Sequence, residues 1–269
     1  MFREFVSLCV GFYAGAYFQD KYKLMDLSTL LAQRIPDSDA TLSSPYLIFI
    51  NSRALNVSHE EILGSTISSF FTKSGEIATA SLLLAARQPL SRYTDYLDPL
   101  VRRSMGKHQL YGFDFADELV KNPLERCEET LTLSINRLIN DLELLSEERK
   151  LLLVIDDLSY VKDLGVSPRK LISRLLNSSI HYLLIGYHNN NDGITDDYLF
   201  HLLHRRADFF LDVSPLDTGY SNTIDGKLTI STPNNEMSSS GETQLDYFKI
   251  FAEGRTIRCY TQGASNLVR

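Results

Sequence analysis

The stretch that most constrains this chain is Leu151-Leu152-Leu153-Val154-Ile155-Asp156-Asp157, five apolar residues running straight into two carboxylates. Such a run reads as a short buried strand, and the acids then stand at the carboxyl edge of a sheet, where ligands of open α/β folds collect. The central strand of a nucleotide-hydrolysing domain ends in this way. The matching phosphate cradle is missing. A phosphate-binding loop needs G-x-x-x-x-G-K-[ST], because glycine lets backbone N–H groups close round the phosphates while Lys and Ser/Thr hold the terminal phosphate and its magnesium. The Gly-Lys pairs, Gly106-Lys107 and Gly226-Lys227, are followed by His108 and Leu228, and Val101 and Ser221 stand five residues before the glycines. Neither pair makes such a loop. The chain reads as a nucleotidase-like scaffold without a phosphate site of its own, which suits an assembly subunit better than a free-standing enzyme.

With 269 residues, 43% of them hydrophobic and 23% charged, the chain is long enough to bury one large core. The net charge of −7 argues against broad electrostatic capture of nucleic acid, which requires a basic surface to displace counterions. Any RNA contact is then local or shared with a more basic partner. Cys9, Cys127 and Cys259 are scattered, odd in number and without metal-ligand spacing, so neither a disulfide framework nor a zinc site is expected. A reducing compartment follows.

Residues 1–24 read as an apolar extension of open status. Phe5 to Phe18 is almost wholly apolar, with Gly11 and Gly15 at G-x-x-x-G spacing and Arg3, Lys21 and Lys23 at its flanks. At about 14 residues it falls short of the roughly 20 that span a bilayer. It also lacks the small-residue cleavage pattern of a secretory signal. A partner-covered helix, a segment foreign to the domain and a membrane anchor all remain open for it.

From residue 25 to 269 the pattern is that of a single α/β domain in which strands and helices alternate. A short amphipathic helix is expected from Met25 to Arg34 and a buried strand from Tyr46 to Ile50, followed by Asn51-Ser52-Arg53-Ala54-Leu55-Asn56 where a nucleotide-binding relative carries its phosphate loop. Helices are expected over Glu60–Thr72, Ser91–Met105 (with a break at Asp98-Pro99) and Pro123–Ser146, and strands over Ile77–Ala85 and Gln109–Phe113. The second half is clearer. Leu151–Ile155 is followed by a helix capped by Ser167 and started by Pro168, a strand over His181–Gly186, a polar loop over Tyr187–Gly193, a helix over Asp196–Arg206 and a strand over Ala207–Val213. The remainder switches to antiparallel pieces, with a hairpin turn at Asp225-Gly226 and two strands about Glu253-Gly254. Ser238–Glu242 is expected to be the most mobile loop.

Several segments together resemble the Elongator complex protein 6 family. They are Leu151-Leu152-Leu153-Val154-Ile155-Asp156-Asp157-Leu158-Ser159, Leu164-Gly165, Ala207-Asp208-Phe209-Phe210-Leu211, Leu216-Asp217-Thr218-Gly219, Ile224-Asp225-Gly226-Lys227-Leu228 and Tyr247-Phe248-Lys249-Ile250-Phe251-Ala252-Glu253-Gly254. The likeness covers about Lys150 to the carboxyl terminus. From Met25 to Gly112 it rests on element order and fragments such as Asp26-Leu27-Ser28-Thr29-Leu30-Leu31. The resemblance implies a RecA-like domain with a mainly parallel central sheet flanked by helices, antiparallel carboxyl-terminal strands and no phosphate loop. It further implies assembly with Elongator proteins 4 and 5 into a heterohexameric ring, and association with the Elongator catalytic subcomplex. It implies tRNA bound through the ring, a role in wobble-uridine modification, no catalytic residues and no cofactor or metal in this subunit, and residence in the cytoplasm and also the nucleus.

The residues themselves leave choices. Asp156 and Asp157 order magnesium in an active relative; without a cradle facing them, capping the next turn and bonding backbone amides is the simpler role. Lys162, Arg169 and Lys170 follow that strand and, with His188 in the next loop, are candidates to face RNA, as against ordinary solvated charges and a polar turn. Tyr247, Phe248, Phe251 and Tyr260 on the last strands are candidates for a subunit interface, as against a sheet covered on both faces within the domain. His201 and His204 share a helix face but have no third ligand, so a metal pair is not expected. A self-sufficient RecA-like ATPase, a degenerate recombinase relative acting in DNA repair and a membrane-tethered adaptor are the competing functions.

Overall fold

The computed structural model describes residues 25–35, 44–53, 59–74, 78–94, 97, 108–121, 128–189, 197–217, 219, 221, 224–233, 244–251 and 256–261. The apolar leader, most of the expected Ser91–Met105 helix, the Asp98-Pro99 break and the Ser238–Glu242 loop lie outside them. Ten strands form one sheet: β1 (Met25–Asp26), β2 (Tyr46–Ser52), β3 (Thr79–Ala85), β4 (His108–Asp114), β5 (Lys150–Ile155), β6 (Tyr182–His188), β7 (Phe209–Ser214), β8 (Gly226–Ser231), β9 (Gln244–Phe251) and β10 (Thr256–Thr261). Their spatial order is β1-β10-β9-β8-β7-β2-β6-β5-β3-β4. From β7 through β4 every pairing is parallel, and from β7 outward through β1 every pairing is antiparallel. The antiparallel strands therefore extend the parallel sheet at its β7 edge.

Apart from the edge strand β4, the parallel strands are buried on both faces because their sequences are apolar without alternation; β3 and β6 are buried at every position. One face is covered by α1 (Leu27–Arg34) and α2 (His59–Ser74), whose Leu27, Leu31, Ile62, Leu63 and Phe70 meet Ile48, Ile50, Val154 and Leu211 from the sheet. The other carries α4 (Glu128–Glu143), α5 (Leu158–Val161), α6 (Pro168–Leu176) and α7 (Asp197–Arg206), packed on Phe49, Leu82, Leu153 and Ile185. Each fully buried Leu or Ile stabilises this sandwich by about 1.5–3 kcal/mol. Connections leave β2 by α2 on one face and β6 by α7 on the other, so the carboxyl end of β2, between β6 and β7, is a topological switch point.

The expected Pro123–Ser146 helix is described over Glu128–Glu143, and residues 122–127, which hold its expected start, lie outside the described ones. Ahead of it comes an unforeseen helix α3 (Phe115–Lys121), started because the Asp114 carboxylate accepts the Ala116 and Asp117 amides while Asp117 and Glu118 lie in its first turn. Asp225-Gly226 is not a two-residue hairpin turn. Gly226 opens β8 opposite Phe248, and the Asp225 amide donates to the Phe248 carbonyl. The polar loop expected from Tyr187 begins two residues later, because Tyr187 and His188 continue β6 and are buried.

Candidate functional site

At the switch point β2 ends in Asn51 and Ser52, and Arg53 follows. Asn51 and Ser52 are buried. The Ser52 carbonyl accepts the Asn189 amide at 2.9 Å and the Arg53 amide donates to the Val213 carbonyl at 2.9 Å. Across the crevice stands Asp212 of β7, paired in register with Asn51. Asn51 Nδ2 donates to Asp212 Oδ1 at 2.7 Å, Arg53 Nε to the same oxygen at 3.0 Å, and Arg53 Nη2 to Oδ2 at 2.5 Å. The two-point bond to Asp212 pushes the Arg53 guanidinium above its ordinary value. Thus the turn after the first core strand carries a side-chain clamp across two strands, with no glycine whose amides could wrap a phosphate.

The acid end of β5 lies two strands away, beyond β6. Both carboxylates are fully buried and both are in use. Asp156 accepts the amides of Ala86 (2.7 Å), Arg87 (3.0 Å), Gln88 (3.1 Å) and Asp157 (2.7 Å), and the Tyr93 hydroxyl at 3.3 Å. Burial pushes the Asp156 carboxyl up, and the amides of Ala86, Gln88 and Arg87 draw it back by holding its charge. Burial beside Asp156 likewise raises the Tyr93 phenol, so it stays a donor. Asp157 caps α5 by accepting the Ser159 amide at 3.0 Å and its hydroxyl at 2.6 Å.

A third side chain joins them that the sequence did not single out. Arg87, in the turn after β3, is 12% exposed and places Nη1 3.4 Å from Asp157 Oδ2 and 3.4 Å from His188 Nδ1, with Nε 3.6 Å from Glu60 Oε1. Its guanidinium also lies over the Tyr160 ring at 5.7 Å. His188 is 3% exposed at the end of β6. That corrects the expectation of an imidazole in a solvent-facing loop: the ring is enclosed beside Arg87 because the strand runs two residues further than its apolar run.

Phosphate-loop nucleotide-hydrolysing domains hold magnesium at such an edge with a loop Ser/Thr and a strand-end Asp. These residues do not fit that ion. The Asp156 oxygens are taken by amides, and a fixed cation already faces Asp157. Among the described residues, no group of three His, Cys, Asp or Glu side chains converges on a metal position. His204 instead stacks on Phe200 and meets Phe210 edge-on at 4.6 Å.

Lys162, Arg169 and Lys170 are exposed in the segment that links β5 to β6. Lys162 follows α5, and Arg169 lies 4.8 Å from the ring of Tyr198, itself 61% exposed. Lys170 lines a groove of about 440 Å³ between α4 and α6 with Ser167, Asn136 and Arg174. The interface candidates divide. Phe248 is fully buried and Tyr260 is 5% exposed, both in the carboxyl-terminal antiparallel strands; Phe248 packs into the core with Ile257, so neither ring is offered to a neighbour. Tyr247 and Phe251 are placed on β9 by their backbone pairing with β10, and their side chains lie outside the described ones.

No family model matches the chain, and comparison with curated proteins finds no match. Among solved structures it is similar to an uncharacterised protein from Pyrococcus horikoshii in complex with an unknown peptide, at 13% identity and a TM-score of 0.53, over 82% of this chain and 94% of that one. It is also similar to the flagellar accessory protein FlaH from Methanocaldococcus jannaschii, at 11% identity and a TM-score of 0.48, over 85% and 96% of the two chains. The fold is RecA-like.

Proposed function

We propose that this chain is a non-catalytic RecA-like subunit of the Elongator accessory ring, supporting wobble-uridine modification of tRNA by assembling with Elongator proteins 4 and 5 and sharing their tRNA. The observation that supports a scaffold role is the Arg53–Asp212–Asn51 clamp where the fold would otherwise seat phosphates. With the strand-end carboxylates bonded inward, the described residues offer no metal position for turning over a triphosphate, and the sequence after β2 has no phosphate-loop glycines, which supports the scaffold reading. Any ATP hydrolysis then belongs to the assembled ring. The reading of the partners rests on the sequence resemblance from Lys150 onward. Lys162, Arg169 and Lys170, exposed between β5 and β6, are the residues proposed to touch RNA. The proposed compartments are the cytoplasm and the nucleus. Among the described residues no helix is long and apolar enough to cross a membrane.

Affinity purification of the tagged chain, followed by mass spectrometry, tests this reading. It expects Elongator proteins 4 and 5 in comparable amounts and loss of wobble-uridine modification when the chain is deleted. Recovery of recombinases instead, with modification intact, overturns it.

A further inference from the structure

Helix α4 turns Leu131, Ile135, Ile139 and Leu142 into the core, and its opposite side carries two large apolar side chains into solvent: Leu133 is 69% exposed and Leu144 81%. Single exposed leucines are ordinary on a protein surface. These two are aligned. Eleven residues make three helical turns to within about 20°, so the pair lies on one line about 16 Å long. Leu144 stands just past the last residue of α4 and keeps its winding, its amide donating to the Asn140 carbonyl at 3.1 Å. Between the leucines, Arg137 and Asn140 complete a 4-3-4 spacing, the spacing of a seam between two helices. The helix is held firmly from its flank. Arg174 of α6 donates to Asn140 Oδ1 at 2.9 Å and to Glu143 Oε2 at 2.5 Å.

Arg137 and Asp141 are exposed on the same side of this helix, and neither is in an ion pair among the described residues. The base precedes the acid by one turn, which is the weaker order for pairing along a helix. Across a two-fold axis the same row is self-complementary. When a second α4 is laid antiparallel about an axis between residues 138 and 139, each Leu133 falls level with Leu144 of the second copy. Each Arg137 then comes beside Asp141 of the second copy on the same flank of the seam. A parallel pairing instead sets Arg137 against Arg137 and Asp141 against Asp141.

We infer that the outer face of α4 is a homotypic docking surface whose occupant is a second copy of this chain, packed antiparallel across a two-fold axis. Leu133 and Leu144 supply the apolar contacts at both ends, and the two Arg137–Asp141 pairs fix the direction of the helices. One helix face covers less than the roughly 800 Å² per partner of a standard interface, so the dimer is weak and depends on concentration. It needs this chain alone. Its success or failure therefore leaves the proposed ring and its partners untouched.

Sedimentation equilibrium of the purified full chain, from about 1 to about 300 µM, tests the inference. Wild type is expected to approach twice its monomer mass at the top of that range. L133E/L144E is expected to stay monomeric throughout and to melt as wild type does, since both positions are exposed. R137D and D141R each set like charges side by side across the axis, and each is expected to weaken self-association at least about tenfold. R137D/D141R exchanges the charges and is expected to restore it. Wild type that is monomeric at every concentration overturns the inference and leaves the face to another protein. So does a dimer that L133E/L144E does not dissociate, or an R137D/D141R chain that associates no more tightly than the single variants.

Discussion

Arg53 and Asp212 join the carboxyl ends of two neighbouring parallel strands, with Arg53 Nε 3.0 Å from Asp212 Oδ1 and Nη2 2.5 Å from Oδ2. The pair is asymmetric: the Arg53 side chain is 55% exposed and that of Asp212 8%. Because Asp212 also accepts from buried Asn51, D212A strands the Asn51 amide while Arg53 turns to solvent, and it is expected to cost about 2–3 kcal/mol in urea unfolding. R53A leaves Asp212 its Asn51 bond and some solvent, and should cost about 1 kcal/mol or less. A double-mutant cycle measures their coupling; equal losses from the two single variants would contradict the asymmetry.

Asp156 is the anchor of the turn that follows β3. D156A removes the acceptor of four backbone amides in one step, and about 3–5 kcal/mol of stability should go with it. D156N keeps one oxygen and should lose less. Because Arg87 rides on that turn, amide exchange at Ala86 to Gln88 should quicken in D156N before the rest of the sheet opens.

Two glycines are required for different reasons, and substitution separates them. Gly165 has φ +87°, and nothing lies within 4 Å of where a Cβ would stand, so G165A costs only the left-handed strain of about 1–2 kcal/mol, and G165N should recover part of it. A Cβ on Gly226 would lie 2.8 Å from the Phe248 ring and 2.9 Å from the Ser214 carbonyl. G226A should therefore cost about 1–3 kcal/mol by overpacking, and G226N should be worse rather than better. Thermal melts of the four variants distinguish the two causes.

The Leu151 amide donates to His181 Nδ1 at 3.1 Å, which needs a neutral imidazole. Burial, and then the nearby Lys150 charge, hold the His181 pKa below its ordinary 6.5. The unfolded chain thus binds the proton first. The contribution of this group to stability is complete above about pH 6.5 and is lost progressively as pH falls toward the lowered folded value. Urea midpoints should fall between pH 7.5 and 5.5, and H181Q should flatten that slope. An unchanged slope in H181Q would remove His181 as its source.

If Lys162, Arg169 and Lys170 touch RNA, replacing all of them by alanine in the assembled ring should weaken tRNA binding and reduce the slope of log affinity against log salt by up to about 2. The same change should leave the melting temperature within about 2 °C of wild type, since all of them are exposed. Unaltered affinity and slope would return them to ordinary solvated charges.

The parallel core was legible because its strands are continuous apolar runs, as in Leu151–Ile155 and Tyr182–Ile185, and because Ser167-Pro168 marks the start of α6. What escaped depends on distant partners. His188 looked like the start of a loop; it stays in the strand beside Arg87, about a hundred positions earlier in the chain, and no periodicity signals that meeting. Asp225-Gly226 resembled a turn because glycine is common in turns, whereas here the missing Cβ makes room for a ring from β9. Helix α3 was missed because its signal is one aspartate ahead of a short segment. Arg87, the hub of the candidate site, carries no motif at all.

The proposed scaffold role requires that the clamp at the end of β2 leave the isolated chain without a nucleotide site. Equilibrium dialysis of the purified chain against labelled ATP with magnesium measures this directly. The account predicts retention no greater than that of an unrelated control protein, for the wild type and for R53A alike. One ATP held per wild-type chain would contradict it.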